Sequence, residues 1–192
     1  MQAGINIEQA YLLLNKHIKQ QYTLNHSVES EAVMRALARR LGKDEELWGI
    51  AGLLHDIDWE EVSADVNEHG IKCQQILTEA GASKELIDLI VSHVWGFTTH
   101  YPDNNRSTIE QHALASAETV TGLIFAAALV NPEKKVANVK VSSLIKKMKD
   151  KSFAAKVDRS VICECEKIGL NLDEFLEISL KAMQEIAEKI GL

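Results

Sequence analysis

Residues 52–61 read GLLHDIDWEE: an apolar run ends in the doublet His55–Asp56, and three more carboxylates, Asp58, Glu60 and Glu61, follow at once. Upstream of the doublet, Leu47, Ile50, Ala51 and Leu54 recur at helical spacing, which predicts a helix over 44–55 with one buried face. His55 and Asp56 then leave its C-terminal end about 100° apart around the axis. Polar groups entering an apolar setting need hydrogen bonds, an opposite charge or a metal ion.

The same period runs through the rest of the chain. Strand-like alternation is almost absent, and only two prolines, Pro102 and Pro132, interrupt the sequence. The expected class is all-α, with helices near 6–20, 28–41, 44–55, 66–80, 83–95, 109–130, 139–149, 153–168 and 173–190. Gly42, Gly81 and Gly169 read as stop signals and Ser83 as an N-cap. The 192 residues, 46% hydrophobic, suit a single domain spanning 1–192. Its parts are a bundle over about 20–130 and a basic helical extension over about 133–192.

A net charge of −7 argues against a nucleic-acid-binding protein driven by overall charge. Three cysteines, Cys73, Cys163 and Cys165, are odd in number and suit a reducing cytoplasm, and the N-terminus does not read as a secretory signal. A cytoplasmic location is the expectation. Residues 113–130, ALASAETVTGLIFAAALV, approach the lower length limit of a spanning helix. Ser116, Glu118, Thr119, Thr121 and Gly122 lower its hydrophobicity, so a buried helix is expected and no membrane partner.

Several polar residues fall on predicted apolar faces. His69 lies in the stripe of Val66, Cys73, Ile76, Leu77 and Ala80, and His93 follows Leu86, Leu89 and Ile90. His26 precedes the predicted helix 28–41, placed to reach in from its start. Glu118 sits within the apolar run. Each also reads as a hydrogen-bonded core or cleft residue. Together, His26, His55, Asp56, His69, His93 and Glu118 have no matching supply of inward Lys or Arg, and a metal explains them jointly. His17 follows a polar face and reads as surface; His100 and His112 are minor candidates for substrate contact, and Trp59 and Trp95 for pocket lining.

In this order (His26, the His55–Asp56 doublet, His69–Gly70, His93, then the carboxylate in ALASAETVTGLI), the chain resembles the HD-domain superfamily of metal-dependent phosphohydrolases. It is most similar to its small stand-alone bacterial members, and the resemblance extends to the tail SLIKKMKDKSFAAKV. It implies that His26, His55, Asp56 and Glu118 hold one metal, and that His69 and His93 bind a second ion with Asp56 bridging. Glu118 departs from the Asp usual there. Val94 follows His93, so the adjacent His-His pair and Gly-Tyr-Pro signature of the cyclic-di-GMP-hydrolysing subgroup are missing, and that substrate is not assigned.

Nitrogen and oxygen donors without thiolates suit one or two divalent ions among Mn, Fe, Co, Ni and Zn. Such ions polarise a phosphoryl oxygen and make hydroxide near neutral pH. The expected function is hydrolysis of a small, nucleotide-like phosphomonoester or phosphodiester, with Asp56 and Asp58 as catalytic carboxylates. Asp58 reads equally as a positioning, proton-accepting or surface residue. Alternatives are a two-iron oxygenase, as in some relatives with this ligand order, and a non-catalytic protein binding metal and nucleotide. In the basic segment, Lys146 and Lys147 read either as a solvated face or as contacts to substrate phosphate.

Overall fold

The computed structural model describes residues 2–192, and every regular element among them is helical. Where a capping residue stands next to its helix, expectation and structure agree closely. Asn6 opens α1 (Ile7–His17) in a reciprocal pairing with Gln9, Asp44 caps α3 (Glu45–Leu54), and Ser83 caps α5 (Lys84–Val91). Thr108 and Gln111 form the same reciprocal pairing at the start of α6 (Ile109–Leu129). Each such cap stabilises its helix by about 1 kcal/mol.

The departures have long-range causes. Helix α2 (Gln21–Leu41) begins well before the predicted position 28, although Gln20 provides no side-chain cap. The carboxylate of Glu60 accepts the Lys19 and Gln20 backbone N–H groups at 3.0 and 2.9 Å, ending the chain's extended stretch just before α2. His26 therefore lies inside a helix rather than ahead of one. The predicted helix 66–80 shortens to α4 (Ile71–Glu79), preceded by turns from residue 55 onward. Gly70 forces that boundary: its φ is +89°, and an added Cβ would lie 2.8 Å from a Val94 methyl. Val66, expected inside, is exposed.

Helix α5 ends before His93, which occupies a 3₁₀ turn, Ser92–Val94. After α7 (Val141–Lys149), the expected helix 153–168 is replaced by turns, a short α8 (Arg159–Ile162) and a 3₁₀ stretch, Cys163–Ile168. Arg159 holds the turns, since its guanidinium donates to the carbonyls of Asp150, Phe153, Ala154 and Val157, the last three of which a helix over 153–168 would have paired along its own axis. The last predicted helix divides at Ile186 into α9 (Leu172–Glu185) and α10 (Ala187–Ile190).

Buried apolar side chains from nearly every helix join in one cluster, in which Trp48 and Phe175 are the bulkiest wholly enclosed residues. Helix α6 runs through its centre and packs on α2, α3, α5, α8 and α9. By length and composition it could span a membrane, yet 67% of its most apolar stretch is buried within the fold. A helix enclosed by others is apolar on most sides for that reason. Among its inward polar residues, Glu118 and Thr121 mark where it meets the site.

Candidate metal centre

Helices α2, α3 and α6 bring His26, His55 and Glu118 together, with one donor atom from each within 4.8 Å of the others. His55 Nδ1 donates to the Gly52 carbonyl at 2.8 Å, and its Nε2 stands 3.1 Å from His26 Nε2. His26 Nδ1 lies 3.0 Å from Thr121 Oγ1, whose own proton goes to the Glu118 carbonyl at 2.7 Å. The ring must therefore be the donor to Thr121, which leaves the Nε2 lone pair free.

A second group joins Asp56, His69 and His93 under the same distance limit. His93 Nδ1 donates to the Ile90 carbonyl at 2.6 Å, His69 Nδ1 donates to Asp58 at 2.7 Å, and the two Nε2 atoms face each other at 2.9 Å. Asp56 stands between the groups. Its Oδ1 lies 3.2 Å from His69 Nε2 and 3.5 Å from those of His55 and His93, and Oδ2 lies 3.7 Å from His26 Nε2.

The protonation balance explains why these groups suit a cation. With all four Nδ1 atoms occupied, four Nε2 atoms converge on one carboxylate; the His26 and His55 lone pairs meet at 3.1 Å, which is repulsive unless positive charge lies between them, and between His69 and His93 a proton on His69 or a cation relieves the same clash. Burial drives His55 down to about 3 and lowers His26, so both stay neutral, the form in which imidazole ligates metals. Burial also opposes charge on His69, but hydrogen bonds to Asp56 and Asp58 outweigh it and raise the ring to about 10. Asp56 is held well below the usual carboxylate range, because the surrounding imidazoles outweigh its burial. Glu118 is pushed up to about 8 by burial, with the Thr119 hydroxyl opposing and Asp56 reinforcing. The donor set, four imidazole nitrogens and two carboxylates, fits one or two divalent transition-metal ions.

The acidic run after the doublet now divides by role. Asp58 is wholly buried; one oxygen takes His69, and the other takes the Gly70 and Cys73 N–H groups at 2.8 and 2.9 Å. Of the readings open to Asp58, the positioning one matches these contacts: with three hydrogen bonds accepted and no exposure, Asp58 holds the His69 ring in place. Glu60 holds the entry to α2, and Glu61 bonds His17, which is therefore paired rather than freely solvated.

His26, Asp56, His69, His93 and Glu118 line an open cleft of about 370 Å³, and His55 is wholly buried behind them. Tyr22, Trp59, Val66 and Phe97 form an apolar rim, and the chain's C-terminal part closes one side with Lys156, Val157 and Asp158. Among the described residues, Lys146 and Lys147 do not line it. Lys146 is exposed, and Lys147 Nζ sits 4.2 Å above the Phe153 ring. Lys156 reaches the cleft instead, carried by the turns that replace the predicted helix, and for that reason helical spacing could not reveal it. Trp95 lines a neighbouring hollow, His100 is exposed outside the cleft, and His112 is buried against Glu164.

The family model of the HD domain matches residues 23–114, a segment that includes His26, His55, Asp56, His69 and His93 and stops short of Glu118. Neither a curated protein nor a solved structure matches the chain.

Proposed function

We propose, from the match of residues 23–114 to the HD-domain family, that this protein is a metal-dependent phosphohydrolase acting on a small organic phosphate ester, a nucleotide-like monoester or diester. The observation that carries the reading is the convergence of four Nε2 atoms on Asp56, which lines an open cleft. His26, His55, Asp56 and Glu118 would hold one ion, and His69 and His93 with Asp56 a second. A metal bound there supplies Lewis acidity toward a phosphoryl oxygen and lowers the pKa of water.

The chain's own residues do the rest. Asp56 ties the two halves of the donor set together, and the carbonyls of Gly52 and Ile90, with Thr121 and Asp58, fix the imidazole orientations. Lys156 offers positive charge to a phosphate at the cleft wall, while the rim of Tyr22, Trp59, Val66 and Phe97 suits a flat or apolar organic group.

Elemental analysis of the purified protein, combined with a phosphatase and phosphodiesterase screen, tests this reading. Bound transition metal and turnover of at least one phosphate ester are expected. Oxygen consumption by iron-loaded protein, with no ester hydrolysed, would replace hydrolysis by oxygenation. Metal and ester binding without turnover would leave a non-catalytic binding protein.

A further inference from the structure

His93 has only a three-residue 3₁₀ turn beneath it, in which the Trp95 N–H pairs with the Ser92 carbonyl at 3.3 Å and the carbonyls of His93 and Trp95 are left for partners from elsewhere. Arg106, from the polar loop between α5 and α6, takes these two and shares that of Ser92. Its Nη1 lies 3.1 Å from the Ser92 carbonyl, 3.3 Å from that of His93 and 2.9 Å from that of Trp95. The other edge of the guanidinium meets Glu164 in a two-point pair, with Nε to Oε2 at 3.0 Å and Nη2 to Oε1 at 2.8 Å. Glu164 also accepts from Asn104 at 2.9 Å and from His112 at 2.6 Å.

This network is enclosed: Arg106 is 7% exposed, and Glu164 and His112 are 6% exposed. Burial alone would raise Glu164, but Arg106 and His112 outweigh it and bring the carboxyl down to about 2. Glu164 belongs to the 3₁₀ stretch Cys163–Ile168, well beyond the matched residues 23–114. A planar fork reaching three carbonyls and one carboxylate is geometry that lysine cannot reproduce.

We propose that Arg106 is the positioning residue of His93, and that Glu164 fixes Arg106, so that a segment beyond the matched residues 23–114 supports one half of the site. Arg106 touches no donor atom itself; it acts by setting the backbone of the turn from which His93 projects. The proposal rests on the reading of His93 as a metal donor.

The test is a double-mutant cycle read by Co(II) titration of metal-stripped protein, with folding checked by circular dichroism. Arg106→Lys should weaken Co(II) binding by about 10- to 100-fold in the otherwise wild-type protein, and should change nothing further in a His93→Ala background. Equal losses in both backgrounds, or none in either, would overturn the proposal, because a role in general stability does not depend on His93. If Arg106→Lys fails to fold, Glu164→Gln, which keeps the side chain's shape, should give a smaller loss with the same dependence on His93. A wild-type protein that binds no Co(II) would overturn the metal reading instead. Positioning is then read from imidazole ¹⁵N shifts, which Arg106→Lys should move for His93 and not for His26. An unmoved His93 signal would overturn it.

Discussion

Gly52 of α3 faces the Ser30 carbonyl of α2 so closely that an added Cβ would lie 2.6 Å from the oxygen. That approach lets His55, three residues on, reach His26 on the neighbouring helix. Gly52→Ala should push the helices apart, lowering stability by about 1–3 kcal/mol and reducing metal retention with it. Thermal unfolding and elemental analysis check both; unchanged metal content in a destabilised protein would separate the crossing from the site.

Asp56, grouped with His69 and His93, also faces His26 and His55 and so lies within 3.7 Å of four imidazole nitrogens. Asp56→Ala should strip metal to below about a tenth of the wild-type content, while far-ultraviolet circular dichroism stays near that of the parent. Full retention of metal in that variant would rule out the proposed site.

Glu29 on α2 is 3% exposed, and its Oε1 has no hydrogen-bond partner. Burial lifts its pKa from 4.5 to about 8. The folded state thus binds this proton more tightly than the unfolded chain, so the contribution to stability is complete below about pH 4.5 and is lost as pH rises to about 8. Glu29→Gln, neutral throughout, should flatten the fall of the melting temperature across that window and be the more stable form at its alkaline end. The difference is on the order of a few kcal/mol. Parallel melting curves at every pH would contradict this.

Lys156 lines the cleft, whereas Lys146 and Lys147 do not. Lys156→Gln should raise KM for an active phosphate ester by roughly 3- to 10-fold, with kcat and metal content nearly unchanged. The double change Lys146→Ala and Lys147→Ala should leave KM as it is. Steady-state kinetics at two salt concentrations decide between them, since added salt should erase the Lys156 effect.

The helical class was legible because the apolar period of 3.6 repeats from α1 to α9, and local caps such as Ser83 and Asp44 carry their own signature. The six candidate positions stand out in the sequence as polar residues in apolar surroundings with no inward cations to match, and the fold gathers them into two groups of three. Their exact settings were not. His26 lies inside α2, whose entry is held by Glu60 from a distant turn; His69 lies in turns pinned by Asp58; and His93 rides a turn held by Arg106. In each case a charged side chain far along the chain satisfies backbone groups that local spacing leaves open, and such pairings have no period to detect. Lys156 likewise reaches the cleft only because Arg159 gathers four carbonyls into turns where helical periodicity alone predicts a helix. Residue types and their period thus determined the class and the candidate donors. The backbone groups left without local partners were assigned theirs only when the tertiary structure brought distant side chains to them.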